Sequence, residues 1–207
     1  MASAIIHLAV AKTLEQNFNI KNKKDYYLGS IAPDISKQIG ENKQKSHFLF
    51  NSLDNIPNIE LFTKKYPNFK NNSFDLGYFI HLYTDKIWFK IFLSKILAGN
   101  YIKLLDGTII NTTPEEIQNI IYQDYTNLNI QLLDEYKMDL SLFYEEFTPP
   151  KTALTEIPIN KLNILIDKMG IIIENSKEKK AYTFDIFLVL QFIDEVSQEI
   201  LKVLKNY

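Results

Sequence analysis

The chain has no cysteine and no arginine among its 207 residues. The absence of cysteine excludes disulfides, thiolate nucleophiles and sulfur-ligated metal centres. The absence of arginine removes the bidentate guanidinium contact to phosphate, so any phosphate binding must use lysine, backbone amides or a metal ion. The net charge of -2 gives no long-range attraction for nucleic acid or for an anionic membrane surface.

Long apolar segments are also missing. The stretch IFLVLQFI at residues 186–193 falls far short of the ~20 residues that a membrane span needs, and Asp185 and Asp194 flank it. Residues 1–16 lack a basic segment ahead of their apolar run, and His7 interrupts that run, so they do not resemble a signal peptide. These features predict a cytoplasmic protein without a transmembrane segment, and they leave its oligomeric state open.

Most of the chain has helical periodicity, which predicts an all-α fold. Helices are expected near residues 4–17, 25–31, 45–54, 59–65, 74–97, 114–136, 159–175 and 181–205. The helix at 74–97 is apolar on nearly every side, which is typical of a helix buried in the core. Asp106-Gly107 between two β-prone runs predicts one small hairpin near residues 101–111. With no repeat and no shift in composition, the chain is expected to form a single domain over residues 1–207.

A histidine and an aspartate lie four residues apart within the apolar segment GYFIHLYTDKIW at residues 77–88. At this spacing His81 and Asp85 project from the same face of a helix. A buried charge without a partner is costly, so both side chains must be satisfied. They can satisfy each other, and for an isolated His-x-x-x-Asp pair this is the plain structural interpretation.

All three histidines of the chain lie in apolar settings. His7 is within AIIHLAVA, His47 is within KSHFLF, and a further carboxylate, Asp34, is within LGSIAPDIS. Each of these residues alone is compatible with a structural role. Together with His81 and Asp85 they offer nitrogen and oxygen donors without sulfur, and this combination indicates a metal centre such as zinc.

The order of these motifs resembles the bacterial zinc-dependent phospholipase C family. The motifs are His7, GSIAPD with Asp34, SHF with His47, and GYFIHLYTD with His81 and Asp85. Weaker similarity continues through YQDYTNLN to the last helix. The family is all-helical and related to zinc-dependent fungal single-strand nucleases. The resemblance therefore implies an all-α fold and a zinc-dependent hydrolase of phosphoric esters.

The resemblance also implies roles for individual residues. Asp34, His47, His81 and Asp85 match the ligands of one zinc ion. Asp85 is placed to bridge to a second ion, and His7 matches a ligand of that ion. Asp34, as a ligand or a near-ligand, is the candidate for the catalytic residue that orients or deprotonates a water molecule. One or two zinc ions are therefore expected.

A third metal site of the family has no obvious counterpart. The family builds it from two further histidines and a glutamate, whereas this chain has no histidine after His81. The third site is therefore expected to be lost or rebuilt from carboxylates. Asp124, within YQDYTNLN, is the candidate metal ligand for such a role. The alternative is that Asp124 is an ordinary solvated residue of a helix.

Two functions from different classes remain open. The first is a phospholipase C-like hydrolase whose metal-activated water attacks a phosphoester substrate such as a phospholipid or a nucleotide. The second is a non-enzymatic protein that keeps a remnant metal centre for stability or for binding a phosphorylated or protein partner. No basic groove interleaved with aromatic residues is evident, so nucleic acid is not indicated as a partner.

Overall fold

The structure is a computed structural model, and it describes residues 1–52, 54–176 and 180–207. Its helices are α1 Ala4–Leu14, α2 Lys23–Ile31, α3 Ile35–Gln38, α4 Ile59–Lys65, α5 Ser73–Ile87, α6 Pro114–Glu135, α7 Leu162–Glu174 and α8 Ile186–Leu204. A small antiparallel sheet in the order β1-β2-β3 joins Leu97–Ala98, Tyr101–Lys103 and Ile109–Asn111. The predicted all-α fold with one small hairpin is confirmed.

The starts of the main helices follow from side-chain caps. The side chains of Ser3, Asn72 and Thr113 accept hydrogen bonds from backbone N–H groups in the first turns of α1, α5 and α6. Asp185 caps α8 by accepting from Leu188 N. This cap explains why α8 begins later than the predicted residue 181. Among the described helices, none has the length and apolar composition to cross a membrane.

The core is built around α5, whose side chains are buried on nearly every face, as predicted. α1 packs against α5 and also against α2, α6 and α8. The predicted helix over 74–97 is wrong beyond Ile87, because the chain continues as a π-helical turn at Trp88–Phe92 and a short 3-10 turn before β1. The buried ring of Trp88 stacks on Phe92 and packs edge-on against Phe184 and Phe192. Packing of this aromatic cluster overrides the local helical periodicity.

The helix predicted at 45–54 is also wrong for the described residues of that stretch, which form turns, while residue 53 lies outside the described ranges. Phe48 has a positive φ of 53°, a conformation that ends a right-handed helix. Its ring packs edge-on against Phe62 and Tyr78. Tertiary packing of Phe48 therefore fixes the turn that follows the helical-looking sequence.

Two glycines allow α2 and α5 to cross in backbone contact. A Cβ atom added to Gly77 would lie 2.1 Å from the carbonyl oxygen of Tyr26, and one added to Gly29 would lie 2.1 Å from that of Phe74. Both distances are far below van der Waals contact, and the obstructing atoms belong to helix backbones. The space that the missing side chain of Gly77 leaves beside His81 is therefore filled by α2.

We expect Gly77→Ala to destabilise the protein by at least about 2 kcal/mol, because the two helices must separate to admit a methyl group. The midpoint of urea unfolding measures this effect. Gly170→Ala is the matched control, since Gly170 is also helical but its added Cβ would meet only the hydroxyl of Tyr144, the movable end of a side chain. If both variants unfold at the wild-type midpoint, the close crossing of α2 and α5 is wrong.

Candidate metal centre

Five side chains from separate parts of the sequence meet beside the C-terminal half of α5. His81 and Asp85 lie one turn apart on α5, and His7 comes from α1. Asp34 ends the 3-10 turn that follows α2, and His47 lies in the turn before Phe48. Each of the five residues is buried, and Asp34 is the most exposed at 8%. The structure thus brings together all the predicted ligands except Asp124.

Hydrogen bonds define which ring nitrogens of two histidines face the centre. His81 Nδ1 lies 2.8 Å from the carbonyl oxygen of Ser30, which can only accept, so Nδ1 carries the proton. His47 Nδ1 lies 2.9 Å from Ser46 Oγ. Because the Ser46 hydroxyl donates its proton to Lys43 O, Ser46 Oγ accepts from His47 Nδ1. Both Nε2 atoms consequently present lone pairs, as metal-ligating histidines do.

Four acceptor atoms converge on one point. His47 Nε2 lies 3.3 Å from His81 Nε2, 3.5 Å from Asp34 Oδ1 and 3.6 Å from Asp85 Oδ2. His81 Nε2 lies 4.0 Å and 3.8 Å from the same two carboxylate oxygens. Neither Asp34 Oδ1 nor Asp85 Oδ2 has a hydrogen-bond partner among the described residues. Of these residues, His47, His81 and Asp85 offer ligand atoms within 4.8 Å of one another, which is compatible with one zinc ion, whose tetrahedral ligand atoms lie about 3.3 Å apart.

The other carboxylate oxygen of Asp85, Oδ1, lies near His7 and the backbone of Ala2. Asp85 Oδ1 lies 3.4 Å from His7 Nε2 and accepts a hydrogen bond of 2.9 Å from the backbone N–H of Ala2. The rings of His7 and His81 stack with their centroids 3.7 Å apart. His7, Asp34 and His81 also offer ligand atoms within 4.8 Å of one another. The two groups of potential metal ligands among the described residues, this one and His47, His81 and Asp85, thus have His81 in common.

The electrostatics of the site favour the protonation states of metal ligands. Burial lowers the pKa of His81 to about 3, so its imidazole is neutral at pH 7. Burial would raise the pKa of Asp34, but the imidazoles of His47 and His81 that face this carboxylate lower it below the ordinary value. For Asp85, burial is opposed by the α-amino group of the first residue and by His7, and the pKa is held well below its usual range. Ionised carboxylates and a neutral imidazole are the forms that bind a metal ion.

Asp124 lies in a different environment from the other predicted ligands. It is fully buried, and its carboxylate accepts hydrogen bonds from the backbone N–H groups of Tyr182, Thr183 and Phe184. The Thr183 hydroxyl donates to it as well. This carboxylate ties α6 to the segment that leads into α8. Asp124 belongs to neither group of potential metal ligands among the described residues, so it is not assigned to the centre.

Several residues around the centre were not identified from the sequence. Ser30 and Ser46 orient the two histidines, and the Tyr78 hydroxyl donates to the carbonyl oxygen of Ser46. Lys43, which donates to Asn55 Oδ1 at 2.6 Å, adds a positive charge that acts on Asp85 and Asp34. The adjacency of Ser46 to His47 was the only local signal, because the remaining contacts join residues far apart in the chain.

Comparison with known proteins adds one finding to this geometry. A family model described as zinc-dependent phospholipase C matches residues 4–137. This range spans more than half of the chain and includes all five side chains of the centre. No curated protein and no solved structure gives a match.

We expect zinc-reconstituted protein to retain zinc in a stoichiometric amount and His81→Ala to lose most of it, because the variant removes a central ligand atom. Elemental analysis after extensive dialysis measures both. The matched control is Asp75→Asn, which changes another buried aspartate of α5 that bonds Thr152 outside the centre. Only trace zinc in the reconstituted wild type would show that the centre does not exist.

Removal of zinc should lower the melting temperature by roughly 5 to 15 °C, because a ligand that binds only the native state stabilises it. The buried carboxylates of Asp34 and Asp85 also lose their counter-charge. Calorimetry with and without a chelator measures the shift, and His81→Ala should show none. An unchanged melting curve after confirmed loss of zinc would indicate that His–Asp pairing alone satisfies these side chains.

Proposed function

Because the chain belongs to the zinc-dependent phospholipase C family, we propose that it hydrolyses phosphoric esters at a zinc centre formed by Asp34, His47, His81 and Asp85. The observation that carries this proposal is the convergence of four acceptor atoms without intervening donors. The family points to a phospholipid-type substrate. The chain supplies no arginine for the phosphate, which is consistent with metal ions making the main phosphate contacts.

The side chains around the ligands keep them in the binding form. Ser30 and Ser46 accept the Nδ1 protons of His81 and His47, and so hold each Nε2 atom unprotonated. When bound, zinc would polarise the phosphoryl oxygens and lower the pKa of a water molecule. Asp85, with one oxygen towards His47 and the other towards His7, is placed to contact two ions. We accordingly assign His7 to a second metal position.

Asp34 differs from the other ligands in its access to substrate. It lines a cavity that opens to the surface, whereas His47, His81 and Asp85 do not. Its Oδ1 atom lies 3.5 Å from His47 Nε2 while the residue also lines the cavity, so an ionised Asp34 can reach a water molecule at the centre and accept its proton. Its position at the end of the turn that contains Pro33 places it between the buried centre and the cavity. We therefore assign the role of general base to Asp34.

The variant Asp34→Asn tests this assignment. It keeps the shape and one ligating oxygen but removes the basic carboxylate, so we expect it to retain a substantial part of the zinc and to lose at least ~100-fold in turnover. Hydrolysis of bis(p-nitrophenyl) phosphate and zinc content are measured on the same preparation. Asp75→Asn serves as the control and should keep both. Turnover near the wild-type rate in Asp34→Asn would exclude Asp34 as the base.

The same assay separates the proposal from the non-enzymatic alternative. That alternative is favoured by the lack of any histidine after His81, since the third site of the family requires two more. A wild-type protein that binds zinc tightly and hydrolyses none of the phosphodiesters and phosphomonoesters offered would be a metal-stabilised binding protein. Turnover that depends on added zinc would exclude this alternative.

A further inference from the structure

A cavity of about 300 Å³ lies beside the candidate centre, between α6, α7 and the start of α1. Asp34 forms part of its wall. Leu165 and Met169 of α7 supply apolar surface, and Lys37 and Lys168 line it as well. The volume is at the lower end of the range typical of small-molecule sites, and it suits a polar headgroup rather than a whole lipid.

The charges of this cavity favour an anion. Asp34 is the one acidic residue among the described residues of its lining, and it is already engaged by the centre. Lys37 and Lys168 contribute two positive charges. Lys168 is exposed and has no ion pair or hydrogen bond within the part of the chain that the structure describes. A ligand with negative charge beyond that of the scissile phosphate would complement these lysines.

The aromatic lining disfavours a cationic headgroup. A quaternary ammonium group is bound in proteins by the faces of aromatic rings. The ring of Tyr122 lies in the cavity wall, but the ammonium group of Lys37 already lies 4.6 Å from its centroid and also donates to its hydroxyl. The hydroxyl of Tyr125 donates to the backbone at Met1 O. The most accessible ring of the cavity is thus occupied by a cation of the protein itself.

A buried acceptor without a partner indicates that a ligand of this cavity must also donate a hydrogen bond. Asn129 lines the cavity and is 2% exposed, and its Nδ2 donates to Ser176 Oγ at 3.0 Å. Its Oδ1 is buried and has no hydrogen-bond partner in the described residues. A buried acceptor of this kind is satisfied by a donor. A ligand hydroxyl can donate to Asn129 Oδ1, whereas a phosphate oxygen cannot.

These observations lead to a substrate class, and the inference rests on the proposed function. We propose that the cavity binds the headgroup of the substrate and selects an anionic polyol, with Lys37 and Lys168 facing its negative charge and Asn129 Oδ1 accepting from its hydroxyl. The preferred substrate is then a phosphodiester of a phosphorylated polyol, and a phosphodiester of an alkylammonium alcohol is disfavoured.

Binding of isolated headgroups tests this selectivity without requiring turnover. Zinc-loaded protein is titrated calorimetrically with inositol bisphosphate and with phosphocholine, each of which carries a phosphate that can reach the centre. We expect inositol bisphosphate to bind at least ~10-fold more tightly. Lys168→Glu should reduce that preference at least ~10-fold. Lys168→Arg, which keeps the positive charge, should show the wild-type preference. The matched control is Lys161→Glu, which makes the same charge change just before α7, outside the cavity lining.

The outcomes distinguish this proposal from the one on which it rests. Equal or tighter binding of phosphocholine by the wild type would overturn the headgroup assignment even if the protein hydrolyses phosphoesters. An equal loss of inositol bisphosphate binding in Lys161→Glu and Lys168→Glu would also overturn it, since the effect would be one of net charge. Selective binding in a protein without any hydrolytic activity would support the cavity and refute the enzymatic function.

Discussion

Four acceptor atoms face one another in the core, and the surrounding fold is arranged so that no internal donor separates them. Two imidazole lone pairs 3.3 Å apart repel each other, and so do the buried carboxylates of Asp34 and Asp85. In a cluster whose side chains satisfy one another, each acceptor would instead face a hydrogen-bond donor. A cation at the shared point removes the repulsion and satisfies every member of the set. The repulsion among these four atoms is therefore an electrostatic constraint on the core.

The crossing of α2 and α5 makes this arrangement possible. Backbone contact at Gly29 and Gly77 brings the end of α2 close enough for the Ser30 carbonyl to fix the proton of His81. The chain then turns through Pro33 and delivers Asp34 to the same point. A single close approach thus positions both a ligand and the group that orients another ligand. Bulkier residues at either glycine would displace the two together.

Burial and access are divided among the ligands in a way that suits hydrolysis. His47, His81 and Asp85 are held in the interior, where low dielectric strengthens their interaction with an ion. Asp34 alone connects the centre to the cavity that lysines and an asparagine line. In the proposed centre, the three interior side chains would hold the metal ion, and Asp34 at the edge would meet the substrate. The absence of arginine leaves lysine as the side chain that can supply positive charge at the cavity.

Local patterns in the sequence predicted the helical class, the hairpin at Asp106-Gly107 and the five side chains that the structure brings together, because periodicity, turn chemistry and histidines in apolar segments can be read from neighbouring residues. The sequence did not determine where α5 ends, since the aromatic cluster around Trp88 is assembled from distant segments. Nor could it place Asp124, whose partners at residues 182–184 come from another part of the chain. The tautomers of the histidines, the backbone contact at Gly77 and the charge of the cavity were likewise decided only by the tertiary structure. Each depends on atoms that meet in space although they are far apart in the chain, and no local pattern encodes such a meeting.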